Sequence, residues 1–251
     1  MNIERVLQEK RERLRRVVQA AGLPVVRSIV EMAAGDGSLS VVLKEMFPDA
    51  AVTAVDRKVE FLRGYISEHG IDIKLVQGDI ADPVGVDVEV DLVCYSNVVR
   101  HVSRETFAKS LKAASGLLGE GGLCLVIDRD EEARSKAQEL RRRVHEVEIE
   151  IGRLKGEEPE IGCGRDEIEE LIGKAGMRVT YSRVHPEEVS RVDECAWAEW
   201  REELMESVAS LAEAEREDLA ARIREIDEAY RKVGLETFAL CVMVGRNLVR
   251  S

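Results

Sequence analysis

Apolar residues come in two kinds of block along this chain. Short, mostly apolar runs at Ser28-Ile-Val30, Ala51-Val-Thr-Ala-Val55, Ile73-Lys-Leu-Val76, Val90-Asp-Leu-Val-Cys-Tyr95 and Leu123-Cys-Leu-Val126 read as strands. Stretches with a helical period lie among them, such as Leu39-Ser-Val-Val-Leu-Lys-Glu-Met46. This alternation from Ile29 to Ile127 predicts a parallel sheet with right-handed crossovers. A helix over Asp166–Lys174, a sixth strand at Met177–Val184 and a last strand at Glu236–Val244, buried on both faces, are expected to complete it.

Three segments fall outside that alternation. The first twenty residues read as an amphipathic helix with Leu7, Leu14, Val17 and Val18 on one side. Lys10 and Arg11 interrupt its stripe; the bland reading is a solvated surface helix, the sharper one a docking face for an anion. After the fifth strand, Ala133, Ala137, Leu140, Val144, Val147, Ile151 and Leu154 repeat at 4-3 spacing until Gly156. A second such segment carries Trp197, Trp200, Leu204, Val208 and Leu211, then Leu219, Ile223, Ile226, Tyr230 and Val233. The acidic stretch over residues 212–218 reads either as a turn or as the exposed middle of one long helix. The expected organisation is an N-terminal helix over residues 1–27 and one domain over 28–251, with helical insertions at about 130–160 and 186–233. Ligands of a parallel sheet sit outside the carboxyl ends of its strands. The chain leaves the fifth strand at Asp128 and the sixth at His185, so the insertions are expected to form a cap over that edge. Stripes of this spacing also suit a homodimer arm.

Chemistry concentrates in the first strand–helix junction, Glu31-Met-Ala-Ala-Gly-Asp-Gly37. A strand that runs through a tight glycine turn into a helix lets backbone close around a nucleotide-like cofactor. Glu31 and Asp36 oppose a pyrophosphate there and suit a cation. S-adenosylmethionine (SAM) offers two, a sulfonium and an ammonium. Asp56 ends the second strand about 20 residues past Gly35, the spacing at which an acid reaches ribose hydroxyls. Asp79, within Gln77-Gly-Asp-Ile80, is placed to accept a hydrogen bond from an adenine amino group.

With Ser96-Asn-Val-Val-Arg-His-Val102 and the Gly121-Gly122 turn added, the chain resembles the class I SAM-dependent methyltransferases. The likeness is to the ubiquinone/menaquinone-biosynthesis (type 11) kind, and it covers residues 28–128 well. The resemblance implies an α/β, Rossmann-like sheet, mostly parallel with its last strand antiparallel, carrying added helical caps. It implies SAM as cofactor, held by Glu31, Ala33, Gly35, Asp36, Gly37, Asp56, Arg57, Gly78, Asp79, Ile80 and Asn97. It also implies in-line transfer of a methyl group to an acceptor near Asn97 and His101, the two candidate catalytic residues. For His101 the structural alternative is capping or packing of the next helix. Two positions depart from the family: its first loop glycine is Ala33 here, and its usual first histidine is Arg100.

Composition narrows the partners. A net charge of −12, from 49 acidic and 37 basic residues, argues against a nucleic-acid backbone and for a small-molecule acceptor. No apolar run is long enough to span a membrane, and the N-terminus lacks a signal-peptide core. Five cysteines without Cys-x-x-Cys spacing suggest reduced thiols, a cytoplasmic location and no metal site. A nicotinamide-dependent oxidoreductase fits poorly, because the third glycine of its fingerprint falls on Ser40. Two alternatives stand beside the small-molecule enzyme: a methyltransferase acting on protein or RNA, and a SAM-binding, non-catalytic interaction subunit.

Overall fold

The five short apolar runs pair in the computed structural model, which describes residues 3–86, 89–130, 132–156 and 163–248. Strand β1 (Ser28–Met32) lies between β2 (Ala51–Asp56) and β4 (Val90–Ser96), parallel to both. Strand β3 (Lys74–Gln77) flanks β2, and β5 (Leu118–Asp130) flanks β4, each in parallel. Strand β6 (Met177–His185) closes the far edge. Beyond a small ribbon of β7 (Arg191–Val192) and β8 (Leu235–Glu236), the last strand, β9 (Ala239–Asn247), inserts between β5 and β6, antiparallel to β6. The order β3-β2-β1-β4-β5-β9-β6 is that of a Rossmann-like class I methyltransferase sheet. Its connections reverse direction between β1 and β4, the switch point at which such sheets bind ligands.

Two compact units make up the chain. The larger comprises Asn2–Arg129, Ile161–His185 and Leu240–Ser251. Its strands are apolar on both faces because both faces are covered. Ile29, Leu92 and Leu125 share one layer with Leu14 and Val17 of α1 (Ile3–Ala21), Leu39 and Leu43 of α2 (Ser38–Met46) and Leu62 of α3 (Glu60–His69). Val30, Val93 and Val126 share the other with Phe107 and Leu111 of α4 (Arg104–Leu117) and with helix Arg165–Lys174, through Ile168 and Leu171. The N-terminal helix is therefore packed into the sheet layer rather than simply solvated.

The smaller unit spans Asp130–Glu160 and Pro186–Ala239, of which residues 131 and 157–160 lie outside the described residues. Here the 4-3 stripes bury one another. Leu140, Val144, Val147 and Ile151 of α5 (Lys136–Leu154) form one core with Trp197, Leu204 and Val208 of α7 (Glu194–Ala209) and Leu219, Ile223 and Ile226 of α8 (Glu213–Val233); helix Arg165–Lys174 is α6 in this numbering. The acidic stretch breaks rather than continuing as one helix. Ser210 donates its hydroxyl to the Ser207 carbonyl at the end of α7, and α8 starts three residues later.

Two strand limits differ from expectation. The Gly-Gly segment does not precede β5 but lies inside it as a bulge, where pairing passes from Val90↔Leu118 to Leu92↔Leu123. Backbone fills the space at Gly122: an added Cβ would lie 3.0 Å from the Gly119 carbonyl oxygen and 3.1 Å from that of Val90. The run expected as one strand over 236–244 is divided between β8 and β9. Thr237, between them, donates its N–H to the Ser190 carbonyl (2.8 Å) and accepts from the Ser190 N–H (2.9 Å).

Candidate active site

The glycine turn closes on itself by backbone bonds. The Gly37 N–H reaches the Ala34 carbonyl (2.8 Å), and the Ala34 N–H reaches the Val55 carbonyl (3.0 Å), tying the turn to the end of β2. Gly35 and Gly37 take the left-handed region, with φ of 54° and 70°. At Gly37 a Cβ would strike the Leu62 side chain at 2.2 Å, so a larger residue there would have to displace Leu62 as well as strain the left-handed backbone. At Gly35 a Cβ would meet nothing within 4 Å, because that position faces open space. Ala33, where the family has glycine, is also left-handed (φ 56°). An L-residue pays about 1–2 kcal/mol in that conformation. Ala33→Gly is therefore expected to raise stability by about 0.5–1 kcal/mol in urea denaturation, once the extra freedom of glycine in the unfolded chain is set against the relieved strain. A loss of stability would show that the Ala33 methyl packs better than the strain costs.

A cavity of about 550 Å³ opens at this turn, at the carboxyl ends of β1, β2, β4 and β5. Ala33, Gly35, Asp36, Asp56, Asn97 and His101 of the expected site residues line it together. Asp56 Oδ2 accepts from the Gly35 N–H (2.8 Å) and Oδ1 from the Lys58 N–H (2.8 Å), which leaves two of its roughly four lone-pair sites for other donors. Asn97 sits at φ 55°, a conformation that asparagine tolerates better than most residues, and its N–H reaches the Ile127 carbonyl (2.9 Å).

Other expected site residues stand back from the cavity. Glu31 is buried, 2% exposed, and accepts a hydrogen bond from the Ser40 hydroxyl; burial pushes its carboxyl up to about 7. Gly37 caps α2 behind the loop. Asp79 is outside the lining: Oδ1 accepts from the Ala81 N–H (2.8 Å) and Oδ2 from Arg57 (2.9 Å). The Ala81 N–H and Arg57 hold the Asp79 carboxyl below its usual range despite some opposing desolvation. Gly78 donates to the Asp56 carbonyl (3.0 Å), and Ile80 is buried in the core.

Several lining residues were not anticipated: Lys10, Arg13, Ser96 and Arg129. Ser96 ends β4 and Arg129 lies near the end of β5, so strand-end position alone would have found them. Lys10, which broke the stripe of α1, ion-pairs with Asp36 (2.6 Å). Burial opposes ionisation of Asp36, but Lys10 and the Ser38 N–H hold its carboxyl below the ordinary value. Asp128 also went unseen. It is buried and accepts from the N–H groups of Val99 and Arg129 (both 2.8 Å), clamping the 3₁₀ turn Val99–His101 to β5; burial holds its pKa above the ordinary value.

A sheet of this order with a glycine turn and a ribose-spaced acid at its switch point defines the class I methyltransferase fold. Residues 29–122 match the family model described as "Methyltransferase domain". Solved structures share the fold at low identity. A cyclopropane-fatty-acyl-phospholipid synthase-like protein from Lactobacillus casei ATCC 334 superposes with TM-score 0.72 at 13% identity, covering 98% of this chain and 94% of its own. A provisionally assigned methyltransferase from Bacillus halodurans C-125 gives 0.65 at 17%, covering 94% and 99%. The [4+2]-cyclase SpnF gives 0.60 at 15%, covering 94% and 80%. The range of these activities shows that the fold does not fix the chemistry. Among the described residues no helix is long and apolar enough to cross a membrane.

Proposed function

We propose that this protein is a SAM-dependent methyltransferase acting on a small-molecule acceptor. One observation carries the reading: at the sheet's switch point, an open glycine turn is pinned by the ribose-spaced Asp56 and faces Asn97 and His101 across one cavity. The residues present fit the cofactor. Gly35 leaves room for close backbone approach, Asp56 keeps acceptor capacity, and the Ser96 hydroxyl oxygen is shielded without a hydrogen-bond partner. Asp56 would hold ribose hydroxyls and the 33–37 turn the cationic methionine end, with the buried Glu31 acting from behind that turn; Asp79 and Ile80, outside the cavity lining, are the proposed adenine contacts. SAM, when bound, supplies an activated methyl group for in-line displacement by the acceptor. The chain's own task is to orient the acceptor and keep water from it. Asn97 is placed to hydrogen-bond either ligand, and His101 to take a proton from an acceptor that carries one.

Replacing Asp56 by Ala removes the ribose acceptor and the cap on the Gly35 N–H together. SAM affinity is expected to fall severalfold to about 100-fold, the scale of one or two charge-assisted hydrogen bonds. Calorimetry on the unmodified protein tests the reading itself. Binding of NAD in place of SAM would overturn it.

A further inference from the structure

The lining of the cavity is unusual for so acidic a chain. Lys10, Arg13, Arg100 and Arg129 supply four cationic side chains against the two carboxylates of Asp36 and Asp56. SAM carries a sulfonium, an ammonium and a single carboxylate, so it brings one anionic group to these cations. Lys10 is already matched by Asp36. Arg100 stands differently. It is half-buried, lines the cavity, and its Nε is shielded from water with no hydrogen-bond partner. Asp128 acts on it electrostatically, but both Asp128 oxygens already accept from backbone N–H groups.

Arg100 is also held in place. It belongs to the turn Val99–His101, fixed by the Val99 N–H on Asp128 and the His101 N–H on the Val98 carbonyl (2.9 Å), and next to Asn97, which is tied to β5. A guanidinium on a fixed turn, with a desolvated Nε to satisfy, matches an oxyanion: Nε and one Nη donate to two oxygens in parallel. The shielded Ser96 hydroxyl on the same wall offers a further donor. We infer that the methyl acceptor is a small molecule bearing an oxyanion group, carboxylate or phosphate, and that Arg100 is the residue that selects it. The inference rests on the proposed methyltransferase reading and names its substrate class. It also gives the departure from the family's histidine a chemical reason.

The test has two arms on the full chain. In the first, inorganic phosphate and acetate are titrated calorimetrically into protein saturated with S-adenosylhomocysteine. One of the two should bind, identifying the oxyanion, and Arg100→Gln should weaken it about 10- to 100-fold while Arg100→Lys retains part of the affinity. In the second, the unmodified protein receives methyl-labelled SAM and the small-molecule fraction of a cell extract, and products are separated on an anion exchanger. Label retained by the exchanger supports the inference. Label in neutral or cationic products overturns it, and so does oxyanion binding that Arg100→Gln leaves unchanged. Neither result touches the proposed function. Absence of SAM binding would instead withdraw that function. The label distribution needs no variant, so it decides the question even where Arg100→Gln does not fold.

Discussion

Replacing Glu31 by Gln is expected to stabilise the protein by up to about 3 kcal/mol at pH 8 and to leave it little changed at pH 4. Glu31 is fully buried, with the Ser40 hydroxyl as its hydrogen-bond donor. Burial raises its pKa from 4.5 to about 7, against the weaker pull of Ser40 and Lys10. The unfolded chain therefore releases this proton from about pH 4.5 upward, while the folded protein keeps it to about pH 7. Within that window the unfolded state binds fewer protons, so stability falls as pH rises, by about 1.4 kcal/mol per pH unit. Below the window both states are protonated, and above it the loss is complete and constant. Gln cannot ionise and has no such slope, though its extra amide donor needs an acceptor and trims the gain. Urea denaturation of both proteins at pH 4, 6 and 8 checks this. Curves that stay parallel across the three would show that Glu31 ionises in the fold as easily as outside it. A carboxylate kept at such a cost beside the glycine turn is consistent with its proposed task toward a cationic ligand, and the same variant should bind SAM less tightly.

The sheet was legible because its strands are buried on both faces. Continuous, mostly apolar runs such as Val52–Val55 and Leu92–Tyr95 fit strands covered on both faces. The glycine turn after β1 was legible for a related reason: Leu62 crowds position 37, and the left-handed backbone favours glycine at 35. Asp56 was placed beside the turn by its spacing along one strand–turn unit, and in the structure it accepts from the Gly35 N–H. Arg57, Gly78, Asp79 and Ile80 share that local logic, yet they stand outside the cavity lining, where Asp79 already holds Arg57.

What sequence could not supply was the side of the site built by distant segments. Lys10 meets Asp36 across 26 positions, and Asp128 reaches Val99 across 29. No local pattern encodes such pairs. The broken stripe of α1 was the one trace of them, and a surface helix explains that break as simply as a site does. The 4-3 stripes posed the opposite difficulty. They announced helices that must bury an apolar face without saying against what. In the structure they bury it against one another within a single unit, so those side chains are spent inside the chain.

The sharpest test of that packing is Trp197→Ala, expected to cost about 3–5 kcal/mol. Trp197 is 2% exposed at the centre of the helical unit. Its ring stacks on Tyr230 with centroids 5.6 Å apart and meets Trp200 edge-on at 5.9 Å. Truncation opens a cavity that rigid helices close only in part. It also removes the indole N–H that Asp227 accepts at 3.0 Å, although Arg201 and Arg231 still reach that carboxylate. Trp197→Phe separates the two losses: most of the volume stays while the N–H goes, so a cost of about 1–2 kcal/mol is expected. Thermal melts followed by circular dichroism should show the Ala variant lower by roughly 10 °C and the Phe variant by a few degrees. An Ala variant that melts within about 2 °C of the unmodified protein would mean that the stripes of α5 and α8 hold the unit together without this ring.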